Sequence, residues 1–299
     1  MQHEQPTAPL PWPAGPAGRI VVVDSGVGGL TVVRAIREAL PGLAVTYVAD
    51  NEAFPYGGIE EADLVRRIRD VATGVLAAHG GDALVVACNT ASTVVLDDLR
   101  ARLDVPVVGV VPPIKPAAAL SRTRVIGLLA TAGTARRSYV DDLIRTFAGD
   151  CRVVRVGSPL LAPLAEDRMR DRPVSRELVR GILAPLFEDE GAPVDAVALG
   201  CTHYPLLLDV FRDAAPREVH WIDPAPAVAR RLANVLAALP ARPAAPGGDR
   251  MLFTADPGRI GSLSAFLAGL GFDGHAVWTG AGAWTKAPAS PDARPAASA

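Results

Sequence analysis

Two segments of this chain repeat one idea: Asp-Ala opens an apolar run, and the run delivers a cysteine into a short polar stretch. DALVVACNTAS carries Cys88, and DAVALGCTHYP carries Cys201. Only three cysteines are present, and two of them occupy equivalent places. They are separated by about the length of a small domain, so a duplication into two related halves accounts for both. A second echo lies earlier in each half, where RIVVVDSGVGG from Arg19 parallels RVIGLLATAGT from Arg124. Aligning Ile20 with Ile126 sets Asp24 and Ser25 opposite Ala130 and Thr131. Each half is therefore expected to open with a buried strand that ends in a polar, glycine-rich turn and runs into a helix.

Apolar runs alternate with segments of helical periodicity along the chain. The expected strands are Ile20–Val23, Ala44–Ala49, Ala83–Ala87, Val107–Val110, Val125–Leu129, Val153–Val156, Ala196–Leu199 and Val219–Ile222. Helical spacing covers Gly29–Leu40, Asp63–Ala78, Ala135–Phe147 and Ser175–Glu188. Such alternation predicts an α/β fold with parallel sheets flanked by helices. The expected division is a first domain of residues 19–114 plus 225–272 and a second of 115–224, with hinges near Pro112–Pro116 and Asp223–Pro226. The Pro/Ala/Gly/Ser-rich ends, 1–18 and 280–299, read as disordered tails, and PARPAAPGGD after Leu239 reads as a surface loop before the apolar run Met251–Thr254.

A formal charge of −2 provides no basic field for nucleic acid or an anionic membrane, so a small polar substrate fits better than a polymeric anion. No uncharged apolar run reaches the roughly 18 residues of a spanning helix, and the N-terminus lacks the charged and apolar regions of a secretory signal. An odd cysteine count suits reduced thiols in the cytoplasm rather than a disulfide framework.

In open parallel sheets, ligand-binding residues gather beyond the carboxyl ends of the strands. That rule collects Asp24-Ser25, Asp50, Cys88-Asn89-Thr90, Thr131 and Cys201-Thr202-His203, and brings them together if the two halves face each other. Two thiols facing one cleft suit an acid/base pair. Inverting an amino-acid α-carbon without a carbonyl cofactor needs a base on one face and an acid on the other. A cysteine titrating near ~8.5 serves in either form. Helices starting after Cys88 and Cys201 are expected to favour thiolates, with Asp24 or His203 as proton partners. Asn89, Thr90, Thr202, Ser25 and the amides of the GVGG turn are candidates to hold a carboxylate and an ammonium group.

These residues resemble the cofactor-independent glutamate racemases within the aspartate/glutamate racemase superfamily. The resemblance runs from about Ile20 to about Leu270 through DSGVGGLTV, ADNEAFPYG, ACNTAS, GVVPPIKPA, LLATAGT and LGCTHYPLL, in family order. It implies two pseudo-symmetric α/β domains with the active site in the cleft between them, no cofactor and no metal, and a role in supplying D-glutamate for peptidoglycan. By the same resemblance Cys88 and Cys201 are the catalytic thiols, with Asp24 and His203 supporting them. Ser25, Pro55, Tyr56, Gly57, Asn89, Thr90, Thr131 and Thr202, together with Asp24 and His203, surround the bound glutamate. Glu166 resembles a family carboxylate near the site and carries less weight. GVVPPIKPA is similar to the subgroup activated by UDP-N-acetylmuramoyl-L-alanine, and a homodimer is the default assembly.

Plainer readings compete at each position. A lone cysteine at a strand end is usually a small buried hydrophobe, which suits Cys151. Asp24 can merely cap a helix. Cys201-Thr202-His203 has no second close-spaced ligand pair to make a zinc site. GVGG lacks the spacing of a nucleotide loop. Three rival functions remain at this level: aspartate racemisation on the same scaffold, a hydrolase with Cys201 as nucleophile and His203 as base, and a non-catalytic binding protein.

Overall fold

The computed structural model describes residues 18–188, 191–240 and 248–280. Apart from Gly18 and Gly280, the expected tails lie outside the described residues, as does most of the PARPAAPGGD loop. The strands are β1 Arg19–Asp24, β2 Ala44–Ala49, β3 Ala83–Val86, β4 Val107–Gly109, β5 Val125–Ala130, β6 Arg152–Gly157, β7 Ala196–Gly200, β8 His220–Ile222, β9 Arg250–Phe253 and β10 Ala276–Val277. The helices are α1 Leu30–Ala39, α2 Glu61–His79, α3 Asn89–Arg102, α4 Ile114–Leu120, α5 Ala132–Ala135, α6 Ser138–Phe147, α7 Leu161–Met169, α8 Arg176–Leu183, α9 Leu208–Ala214, α10 Ala225–Ala237 and α11 Leu263–Gly269.

Two sheets form, ordered β10-β9-β2-β1-β3-β4 and β6-β5-β7-β8. Every pairing is parallel. The order 2-1-3-4 thus recurs as 6-5-7-8, the topological counterpart of the sequence echo. The α/β class with two helix-flanked parallel sheets is as expected. β1 and β5 lie at the centre of their sheets, and all six residues of each are buried. Because side chains alternate across a strand, such a run must be apolar on both faces and needs helices on both. Ile20 and Val22 accordingly pack toward α1 and α10, while Val21 and Val23 pack toward α2 and α3. In the second sheet Val125 and Leu129 face α7 to α9, and Ile126 and Leu128 face α4 and α6.

The chain passes from the first sheet to the second between β4 and α4, whose Ile114 and Ala117 sit in the second sheet's core. It returns between β8 and α10, whose Leu232 joins the first. Two expectations need correction. The single helix over Ala135–Phe147 is broken into α5 and α6, because the Thr131 hydroxyl caps a short first turn through Thr134 N at 3.2 Å and Arg137 is extended. The helix over Ser175–Glu188 gives way after Leu183 to a 3₁₀ turn containing Pro185, which has no N–H to continue an α-helical ladder. The apolar run Met251–Thr254 supplies most of β9, which pairs with β2 and widens the first sheet.

Candidate active site

The glycine turn after β1 is one place where the two halves meet. Val27 N donates to Glu166 Oε1 of α7 at 2.6 Å, and Thr31 Oγ1 donates to the Thr202 carbonyl at 3.1 Å. Gly26 and Gly28 are required here by space. A Cβ on Gly26 would stand 2.1 Å from Glu166 Oε1, and one on Gly28 would stand 2.3 Å from His203 Nδ1. Asp24 closes the turn from within, its Oδ2 accepting from Gly29 N at 2.9 Å, while the Tyr47 hydroxyl donates to the Gly26 carbonyl at 2.7 Å. Capping does not exhaust Asp24, since its Oδ1 is buried with no hydrogen-bond partner. Burial pushes this carboxyl above its usual range, against the pull of His203.

Cys201 follows β7, and its Sγ lies 3.9 Å from His203 Nδ1. On the other side of the imidazole, Nε2 is 2.9 Å from Glu166 Oε1. Burial opposes charge on Glu166, yet the hydrogen bond and charge of His203, the Arg170 guanidinium and Val27 N–H outweigh it and hold the carboxyl at about 2. Burial likewise opposes the imidazolium, and hydrogen bonds to Cys201 and Glu166 with the charge of Asp24 drive His203 well above its ordinary value. An ionised carboxylate only accepts, so Nε2 carries a proton and Nδ1 faces the sulfur. Phe54 packs on this imidazole with ring centroids 5.5 Å apart.

Cys88 occupies the N-cap position of α3 and is likewise buried. Burial, followed by the Asp24 charge, raises its thiol well above the usual value, although backbone amides of Ala91 and Thr90 pull the other way. The expectation that a helix N-terminus favours a thiolate at each cysteine is therefore corrected twice. At Cys88 desolvation wins. After Cys201 there is no α-helix start but a 3₁₀ turn, Tyr204–Leu207, and His203 stands beside the sulfur. The two thiols nevertheless sense each other, since charge on Cys201 contributes to the shift at Cys88.

Around the two sulfurs lie buried polar atoms without partners: Asn89 Nδ2 and Oδ1, Thr202 Oγ1 and Asp24 Oδ1. Buried groups of this kind call for a polar ligand or water. Thr90 Oγ1 is 3.1 Å from both Thr131 Oγ1 and Thr134 Oγ1, a hydroxyl cluster that joins the halves. Ser25 is buried beside Asp24, and a Cβ on Gly57 would have Thr131 Cβ at 3.8 Å as its nearest neighbour. Pro55 follows a cis peptide bond, and the Tyr56 hydroxyl is committed to Asp50 Oδ2 at 2.7 Å, with Arg67 on the same carboxylate. Asp24, Ser25, Gly57, Cys88, Asn89, Thr90, Thr131, Cys201, Thr202 and His203 thus share one locality, with Tyr56 holding its loop from behind. Glu166 belongs in it more firmly than its sequence signal suggests. Phe54 and Thr134 are additions, and both sit inside the FPYG and ATAGT motifs. A cavity of about 630 Å³ is lined by Gly26, Phe54, Glu166 and Arg170.

Residues 20–232 match the family model described as Asp/Glu/Hydantoin racemase. The glutamate racemase of Brucella anthropi is 49% identical over 73% of this chain and 79% of its own length. That of Shewanella loihica is 45% identical over 80% of this chain and 88% of its own. Among solved structures, Escherichia coli glutamate racemase in complex with L-glutamate and the activator UDP-MurNAc-Ala superposes with a TM-score of 0.83 at 40% identity, covering 88% of this chain and 98% of that one. The chain belongs to the Asp/Glu/Hydantoin racemase family, grouping there with the glutamate racemases, amino-acid isomerases.

Proposed function

We propose that this chain interconverts L- and D-glutamate by proton transfer between two cysteines on opposite faces of the α-carbon. One observation carries the reading: Cys88 and Cys201 follow equivalent strands, β3 and β7, with the Asp24 charge acting on Cys88 and His203, held by Glu166, 3.9 Å from the Cys201 sulfur. A thiolate on one side removes the α-hydrogen, and the thiol opposite returns a proton to the other face. The Cys88 thiol, held protonated by burial, is suited to the donor's part at rest. His203 Nδ1, facing Cys201 Sγ, is suited to take that thiol's proton and give it back. Asn89 and Thr202, with their unpartnered polar atoms, fit a ligand bearing a carboxylate and an ammonium group, and fixed donors stabilise charge that develops on the carboxylate.

The corresponding cellular role is supply of D-glutamate for peptidoglycan in the cytoplasm, a compartment that suits three free cysteines. The GVVPPIKPA segment spans the first crossover between the sheets and the start of α4. The Escherichia coli relative was solved with UDP-MurNAc-Ala, so the same activator is the one to try.

The test is proton NMR with a chiral assay on reduced protein in deuterated water, with L- or D-glutamate, with and without UDP-MurNAc-Ala, alongside Cys88→Ala and Cys201→Ala. Deuterium at the α-position with the opposite enantiomer appearing, and neither variant racemising, supports the two-thiol reading. Absence of exchange in both enantiomers, or full activity in Cys88→Ala, defeats it. Absence of exchange points to a hydrolase built on Cys201 and His203, whose own activity would survive Cys88→Ala, and turnover of aspartate in place of glutamate would reassign the substrate.

A further inference from the structure

Three donors converge on the Glu166 carboxylate, and one of them stands apart from the thiols. Val27 N and His203 Nε2 share Oε1, while Oε2 is taken by the Arg170 guanidinium. Arg170 is the residue after α7, one turn beyond Glu166, and its Nη1 also donates to the Glu166 carbonyl at 3.1 Å. Both side chains are largely buried, at 14% and 11% exposure. A carboxylate end turns easily about its last torsion, so a single occupied oxygen does not set its plane. With Oε2 held by Arg170, Oε1 has one place to be, and that place is opposite His203 Nε2.

We propose that Arg170 is a positioning residue: by holding Glu166 Oε2 it keeps the Nε2 proton of His203 permanently engaged, so the proton that His203 gains and loses is the one on Nδ1, facing Cys201. The inference rests on the racemase reading for its kinetic consequence and on geometry alone for its effect on the imidazole. A helix-capping pair between residues four apart predicts something else, namely a small change in stability with the imidazole untouched.

The experiment is nitrogen-15 NMR of histidine-labelled full-length protein titrated across the neutral and alkaline range, for the native chain, Arg170→Gln and Arg170→Lys, with His203 assigned by difference from His203→Asn. The native chain is expected to show Nε2 protonated throughout while only Nδ1 moves. Arg170→Gln is expected to show both nitrogens averaging, and to lower kcat up to about a hundredfold with KM nearly unchanged, as small misplacements of reacting groups do. Arg170→Lys should restore the native nitrogen pattern and much of kcat. A native chain whose Nε2 loses its proton overturns the proposal, as does Arg170→Gln with native nitrogen shifts and kcat but a lower Tm. If Arg170→Gln does not fold, Glu166→Gln must give the averaged pattern or the proposal falls. A native pattern as expected in a chain that racemises nothing defeats the proposed function and leaves this positioning role intact.

Discussion

His203 Nε2 lies 2.9 Å from Glu166 Oε1 in a buried contact between the loop after β7 and helix α7. The pair sets how stability depends on pH. Glu166 titrates at about 2 in the fold against 4.5 ordinarily, so its contribution is present above about pH 4.5 and is lost as pH falls toward 2. His203 is raised above 6.5, so its contribution is complete below that value and is lost as pH rises through the folded one. Thermal unfolding should therefore show a plateau between these limits. Glu166→Gln should flatten the acid side, removing roughly 3 kcal/mol of pH-dependent stability. An unchanged acid limb in Glu166→Gln would refute the assignment.

The glycine turn makes a steric prediction. In Gly28→Ala the new methyl must displace the His203 ring, for which overpacking costs of about 1–3 kcal/mol are typical, and racemisation should fall by about tenfold or more. Gly181 in α8 has open space around it, so Gly181→Ala should stabilise by roughly 0.5–1 kcal/mol and leave turnover alone. Tm and kcat measured on both variants separate the crowded turn from a general intolerance of alanine.

Asp50 is fully buried and accepts from Arg67, Tyr56 and Thr254. Arg67→Met removes the counter-charge from a fully buried carboxylate, and should cost about 3–5 kcal/mol while loosening the Pro55–Gly57 loop. Glu52, the outer partner of Arg67, has a side chain 33% exposed, so Glu52→Gln should cost no more than about 1 kcal/mol. Denaturant titrations of the two variants give the comparison, and equal losses would contradict this account of the network.

Much of this molecule is legible along the chain, and the reasons are local. β1 and β5 announce themselves because a strand buried on both faces is apolar between its ends, and the two cysteines because each follows such a run. The parallel sheets follow from alternation, and the meeting of polar residues follows from the rule that strand ends gather ligands. The break between α5 and α6 and the 3₁₀ turn after α8 turn on single caps and a proline, which periodicity averages away. What the sequence by itself determined was the repeated strand-turn-helix unit and the residue types at its carboxyl ends, since these depend on neighbours a few positions apart. Only the tertiary structure decided that β9 pairs with β2, that Glu166 reaches His203 within its own half and Val27 across the halves, and that burial rather than a helix dipole governs Cys88. Those outcomes depend on which surfaces exclude water from which charges, a property of the packed chain that no stretch of sequence carries alone.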